Sequence, residues 1–326
     1  MRCNPRLATL IGAAVVILAG LPLATAGGPG RDLLVPLPEL PPPIAVVSDS
    51  PEQLPPLERA KTYEDEVVEI VNQERWSNGQ LPPLARCALL DTSSETHSSN
   101  MAVRDFLAHC DLDTGTEFWE RIIAAGYSFN AAAENIAAGQ STAAQVMTAW
   151  MNSEGHRANI LDLDFREIGV GWVYQSGDQA NVRLDQEPPQ DPDCIADDIS
   201  GPFGHYWTQN FGRRDIVYPV IIDREAYETA TRAVDLYLYG TGWAQEMRIK
   251  NDTGSWSSWQ TFQSDVAWQL STGDGTKQVF VEIRNGSTVR AASDTIECSG
   301  CGAASPEIFA DGFETGDTSH WSEVVP

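Results

Sequence analysis

The chain changes its periodicity part-way along, and that change limits what it can fold into. "YEDEVVEIVNQERW" (63–76) sets Val67, Ile70 and Val71 at helical spacing, which predicts a short amphipathic helix. Gly79, Pro82 and Pro83 break it. "CALLDTSSETHSSNMAVRDFLAHC" (87–110) places Leu90, Ser94, His97 and Met101 on one stripe, so His97 faces inward on a helix ending near Arg104. "FWERIIAAGY" (118–127) predicts a helix stopped by Gly126, and "STAAQVMTAWMNS" (141–153) one capped by Ser141 or Thr142. The pattern then turns to strands in "IGVGWVYQ" (168–175) and "HYWTQNFG" (205–212). Between them, residues 176–204 carry seven acids and one arginine. A loop that long is usually functional or an insertion.

Helices followed by sheet predict an α+β layer architecture for residues 62–215. From residue 216 the only helical stripe is in "DREAYETATRA". Short strands follow, in "VDLYLYG", "EMRIKN", "WSSWQTF", "VAWQL" and "KQVFVEIRNGSTVRAASDTI", with Asn285-Gly286 as a two-residue hairpin turn. That spacing predicts an all-β sandwich over 216–300. The tail, 301–326, is too short for a domain.

The N-terminus reads as a secretory signal peptide over residues 1–26: Arg2 and Arg6, a short apolar core, and Ala24-Thr25-Ala26. No later run is apolar enough to cross a bilayer. Residues 27–61 form a Pro-rich linker, with nine prolines in 27–56. The expected location is therefore outside the cell or in a periplasm. Without residues 1–26 the chain has 19 basic against 46 acidic residues. Such acidity repels phosphate backbones and anionic lipid heads, so nucleic acid is excluded as a partner. Five cysteines remain, an odd number. Cys298 and Cys301, with no second such pair to build a zinc site, are expected to form a local disulfide.

Three histidines and a glutamate stand where elements meet: His97 on its helix stripe, His109 in "FLAHCDLDTG", Glu134 in "ENIAAG" and His156 in "GHRANIL". Imidazoles and a carboxylate suit zinc binding or proton transfer. No pair of them makes a zinc-protease spacing, and taken singly each has a structural explanation. The order of segments adds to this. "NGQLPPL", "HSSNMA", "FLAHCDLDTG", "AENIAAG", "AWMNSEGHRANIL", "REIGVGWV" and "YWTQNFG" resemble the bacterial, SCP-like branch of the CAP superfamily of cysteine-rich secretory and pathogenesis-related proteins, over about residues 63–214.

The resemblance implies an α-β-α sandwich with a cleft lined by His97, His156, Glu134 and His109, which would hold a divalent metal such as zinc or an unknown ligand. It implies that His156 leaves the end of a helix and faces His97. Ala133 stands where the family has glycine. "GHYWTQNFG" looks like a eukaryotic signature but follows "IGVGW", which leaves His205 a lesser candidate for the cleft. Residues 216–298 are similar to Ig-like repeats of secreted bacterial proteins, implying a spacer or a surface or wall contact. Were the path from Cys87 to Cys110 mostly helical, its ends would lie about 25–35 Å apart, beyond disulfide reach. On the implied fold, Cys194 is then expected to bond Cys110 and fold the acidic loop over the cleft. Three functions compete: a non-catalytic cleft binding a metal or ligand, a metal-assisted hydrolase of protein or wall material, and an adhesive protein acting through the β-sandwich. The first is preferred, since no serine or cysteine nucleophile motif is evident.

Overall fold

The computed structural model describes residues 60–184, 198–252 and 254–302. The expected signal peptide, nearly all of the Pro-rich linker, the tail beyond residue 302 and Cys194 lie outside the described residues.

Among its described residues the N-terminal lobe has five helices: α1 (Tyr63–Ser77), α2 (Ala88–Arg104), α3 (Phe118–Ala124), α4 (Ala143–Asn152) and α5 (Glu154–Leu161). Its strands are β1 (Ala85–Arg86), β2 (Phe106–Leu107), β3 (Ala131–Ala138), β4 (Glu167–Tyr174), β5 (Val182–Leu184), β6 (Asp198–Ser200) and β7 (His205–Arg213). Thr62 opens α1 with a capping box to Asp65, and Thr142 caps α4 by accepting from the Gln145 amide. Both side chains satisfy amides that a helix start leaves unpaired.

The main sheet has the order β1-β4-β7-β3. β7 pairs antiparallel with both β4 and β3, and β3 is an edge strand. Alternation along the strands sorts their two faces. Ile168, Val170, Trp207 and Phe211 form one core with Val67, Val68 and Val71 of α1, Val146, Met147 and Trp150 of α4, and Ile160 of α5. The opposite face carries α2, with α3 beside it. The lobe is thus an α-β-α sandwich. Ala133 packs against the first core, so a methyl group is accommodated where glycine was expected. The acidic loop is not wholly irregular: β5 and β6 pair antiparallel and join β2 in a small second sheet.

The approach of α2 to the sheet is set by two glycines of "IGVGW". A Cβ on Gly169 would sit 2.1 Å from the Leu90 carbonyl carbon, and one on Gly171 2.3 Å from the backbone of Ser94 and Glu95. Serines on α2 use the closeness: Ser94 Oγ donates to the Gly169 carbonyl at 3.2 Å and Ser98 Oγ to that of Gly171 at 3.0 Å. This contact fixes the height of α2, and with it His97, above the sheet.

The C-terminal lobe is all-β. Its strands are β8 (Val220–Ile222), β9 (Glu228–Thr229), β10 (Ala233–Leu238), β11 (Glu246–Asn251), β12 (Gln260–Thr261), β13 (Asp265–Gln269), β14 (Gly275–Asn285) and β15 (Thr288–Cys298). They form sheets ordered β13-β10-β8 and β12-β11-β14-β15-β9 over a common core that includes Val234, Leu236, Ile249, Val279 and Ile296. The β14–β15 hairpin turns at Gly286 and Ser287, one residue beyond the expected Asn285-Gly286, because Asn285 still pairs with Thr288 in the ladder. Cys298 is bonded to Cys301, as the sequence predicts.

"DREAYETATRA" is not helical. Asp223, Arg224 and Glu225 all take positive φ, at 44°, 57° and 65°. That is uncommon for residues with side chains, and here contacts to the other lobe hold it. Buried Asn72 donates to the Arg224 carbonyl at 2.9 Å, Glu225 accepts from the Arg86 amide at 3.1 Å, and the Arg224 guanidinium lies 3.8 Å from the Trp76 ring centre. Buried Tyr239 adds a hydrogen bond to the Pro83 carbonyl at 3.0 Å. The two lobes are parts of one compact unit.

Gly169→Ala is expected to lower stability by at least about 1–3 kcal/mol, the usual cost of overpacking. Gly155→Ala, whose Cβ meets nothing within 4 Å, should be neutral or slightly stabilising, because alanine favours helix over glycine. Urea denaturation of the two variants checks the contrast, and equal effects would show that α2 can move away from the sheet at little cost.

Candidate functional site

The edge strand β3 is where elements from both faces of the sheet meet. Glu134 pairs in register with Asn210 of β7, on the side facing α2. The next residue, Asn135, points to the other face. It donates to the Gln209 side chain at 3.0 Å and to the His156 carbonyl at 3.2 Å, and accepts from Asn159 at 2.9 Å. Asn159 also reaches the Glu134 carbonyl at 3.4 Å. Through these amides α5 is tied to β3, and His156 comes to the edge of the sheet. His156 does not leave the end of α4. It sits in the first turn of a separate helix, since Ser153 interrupts the two.

Glu134 is buried, with 1% of its side chain exposed, and both oxygens are occupied. Oε1 accepts from Arg121 Nη2 at 3.0 Å and from His109 Nδ1 at 3.1 Å. Oε2 accepts from Arg121 Nη2 at 2.8 Å and from Asn210 Nδ2 at 3.0 Å. Burial alone would raise its pKa, but Arg121, His97 and His109 together hold it well below the usual carboxylate range. The group is therefore an anion, and an anion only accepts hydrogen bonds. In its neutral form His109 must then carry its proton on Nδ1, which leaves Nε2 as the acceptor. The His109 side chain is 34% exposed, so this acceptor belongs to a ring that meets solvent.

His97 is fully buried. Its Nε2 donates to the Ala108 carbonyl at 2.9 Å, and its Nδ1 has no hydrogen-bond partner among the described residues. Burial lowers its pKa to about 4; Glu134 opposes the shift, while Arg121 and His109 add to it. His156, half-buried, is lowered by burial and then by the neighbouring His109. His109 is thus the common neighbour of His97 and His156. His205 falls outside this group. It begins β7, five residues before Asn210, or about 16 Å along a strand. There it stacks on Trp172 and accepts from its indole N–H at 3.2 Å.

Of the four residues expected to hold zinc, Glu134 has both carboxylate oxygens already engaged. His97 is enclosed, with one nitrogen committed to a backbone carbonyl. Glu134 is already neutralised by a guanidinium that would repel a second cation. Among the described residues no group of three or more His, Cys, Asp or Glu side chains is placed to hold a metal ion. Cys87 and Cys110 are both disulfide-bonded, while the expected Cys110–Cys194 bond falls on a residue outside the described ones. Arg121 and Asn210 were missed from sequence. Their signals are a charge on the apolar stripe of a short helix, and polar residues on both faces of a central strand.

Residues 68–211 match the profile of the family described as "CAP: Cysteine-rich secretory protein family". This segment is a CAP domain. It is 43% identical over 111 residues to "Uncharacterized protein YkwD" of Bacillus subtilis, covering 34% of this chain and 42% of that protein. It is 28% identical over 113 residues to "Uncharacterized membrane protein YlbC" of the same organism, covering 34% and 31%. The chain therefore spans less than half the length of these curated relatives. Among solved structures it is similar to an extracellular protein containing an SCP domain from Bacillus anthracis, at 26% identity over 47% of this chain and 40% of that one, TM-score 0.35. It is also similar to a cysteine-rich secretory protein from Staphylococcus aureus, at 16% identity over 48% and 41%, TM-score 0.31. No helix among the described residues of the CAP-domain chain is long and apolar enough to cross a membrane.

The buried histidine makes stability pH-dependent. Folded His97 titrates at about 4 instead of 6.5, so between those values the unfolded chain binds the extra proton. Its contribution is fully present above pH 6.5 and is lost as pH falls toward 4, by at most about 3 kcal/mol. His97→Gln, which does not titrate, should lose correspondingly less stability than the native chain between pH 7 and pH 4. Urea denaturation at pH 7, 5.5 and 4 measures the difference, and parallel pH profiles would mean that His97 charges without penalty.

Proposed function

We propose that this is an exported protein whose CAP domain binds a polar ligand at the rim of β3, through His109 and His156, without turning it over. The observation that carries this is the hydrogen bond from His109 Nδ1 to Glu134 at 3.1 Å. It fixes the ring and leaves Nε2 as an oriented acceptor on a partly exposed side chain. An acceptor selects ligands with hydroxyl or amide N–H donors, which glycan and peptide wall material both supply. Export is supported by the basic start, short apolar core and A-x-A ending of residues 1–26. Contact of the β-lobe with a cell surface or wall belongs to the same proposal.

Binding is preferred to hydrolysis because of Glu134. A general base must take up a proton near the working pH. Glu134 has both oxygens occupied and a pKa well below its ordinary range, so it orients His109 rather than activating water.

Soluble wall glycans, wall peptides and casein, titrated into the purified full chain and followed by NMR, test this. At least one wall-derived ligand should bind saturably and without product release. Affinity should fall roughly three- to tenfold in His109→Ala, about the worth of one hydrogen bond, and a chelator should have no effect. Product release that His109→Ala abolishes would make the protein a hydrolase. Binding abolished by chelator would restore a metal-dependent cleft.

A further inference from the structure

The surroundings of Arg121 go beyond what neutralising a carboxylate requires. The side chain extends from α3 and is almost fully buried. Its Nη2 meets both oxygens of Glu134, at 3.0 and 2.8 Å, and the His109 carbonyl at 2.8 Å. Its Nη1 donates to the Thr116 carbonyl at 2.9 Å. Four oxygens, two of them anionic, thus converge on one cation. A set of carboxylate and carbonyl oxygens is the chemistry by which proteins hold hard metal ions. Here a covalently tethered guanidinium takes that place.

We propose that Arg121 is the resident cation of the cleft, and that its presence makes the cleft exclude divalent metals. The inference shares its residues with the ligand-binding reading above, but the two fail separately, since metal uptake and ligand binding are measured apart. A metal approaching Glu134 meets the guanidinium at like-charge contact, in a site from which water is largely removed and screening is weak. It also finds the carboxylate oxygens already filled. Arg121 cannot yield by losing its proton, because a guanidinium remains charged in proteins. Nor can it readily leave, because its other hydrogen bonds run to the His109 and Thr116 carbonyls, away from the carboxylate.

With the guanidinium removed, Glu134 would keep only Asn210 and His109 as partners. His109 Nδ1, His97 Nδ1 and a released carboxylate oxygen are atoms of the types that zinc accepts. Arg121 is then a specificity-determining position: an arginine there gives a metal-free cleft, and an uncharged residue gives one that is open to metal.

The test uses the full chain and zinc or cobalt(II) alone. Zinc uptake by calorimetry is compared in the native protein, Arg121→Lys, Arg121→Met and the double variant Arg121→Met/Glu134→Gln. The native chain and Arg121→Lys should show no zinc uptake that Glu134→Gln removes. Arg121→Met should gain a site at least about tenfold tighter, lost again in the double variant. A folded Arg121→Met that gains no site would overturn the proposal. Loss of a partner from a buried ion pair is strongly destabilising, so Arg121→Met can fail to fold. In that case the absorption bands of bound cobalt(II) in the native chain and Arg121→Lys decide. Bands that Glu134→Gln abolishes in either protein refute the resident cation, and their absence from both supports it.

Discussion

A carboxylate buried among helices and strands has to be neutralised where it lies, and much of this CAP lobe is arranged around that need. Glu134 projects from an edge strand toward α2, where water cannot solvate it. Arg121 of α3, Asn210 of β7 and His109 of the loop after β2 supply the compensation. Three elements from separate parts of the chain are thereby positioned by one anion. Removing a partner would leave a buried charge uncompensated, which costs far more than the net worth of the intact pair. The cluster therefore specifies an arrangement more than it adds stability, and the outward nitrogen of His109 is a result of that arrangement.

A second constraint is steric. Gly169 and Gly171 let the backbone of α2 come so close to β4 that no side chain fits between them. Leu90 and Met101 are sealed on this face, and His97 is carried into the interior, where its pKa falls. The same residue on a helix a few ångströms farther out would be solvated and would titrate normally. Its electrostatics thus follow from two glycines in a different element. At the lobe junction the order of cause is similar. Asp223, Arg224 and Glu225 hold left-handed backbone conformations, each of which costs free energy. Asn72, Arg86 and Trp76 of the other lobe offset that cost through contacts made only in the docked arrangement.

The helices, the strands of the central sheet and the β14–β15 hairpin could be read from the sequence because each rests on local signals: periodicity, caps and turn residues. The turn at 223–225 could not. "DREAYETATRA" has helical composition, and what overrides it is a hydrogen bond from Asn72, more than a hundred residues away. Strand β3 was also illegible. Its "AAAENIAA" lacks the branched and aromatic residues that mark strands, and it is a strand because β7 pairs along its whole length. Among the candidate site residues, His97, His109, Glu134 and His156 do gather at one edge of the sheet. His205 does not, since strand length carries it away. Hidden from the sequence was what each polar atom is already bonded to. That difference separates a zinc site from an ion pair. The residue types are the same in either case, and Arg121, which pairs with Glu134, lies on a seven-residue helix with no recognisable motif.

The edge position of the site explains how buried and exposed chemistry can be joined there. In the middle of the sheet, Glu134 would lie wholly beneath the helices of one face and its ion pair would be purely structural. At the free side of β3, α5 approaches from one face and the His109 loop from the other, and their histidines electrostatically sense each other. The ionic core lies on the inner side of this junction and the half-exposed imidazoles on the outer side. Hydrogen bonds cross from one to the other in a single step, from His109 to Glu134 and from Asn159 to the β3 backbone. A ligand contacting the outer imidazoles would thus bear on groups held rigidly by the core. That is the condition under which a small polar contact surface can discriminate between ligands, because little ordering cost remains for binding to meet.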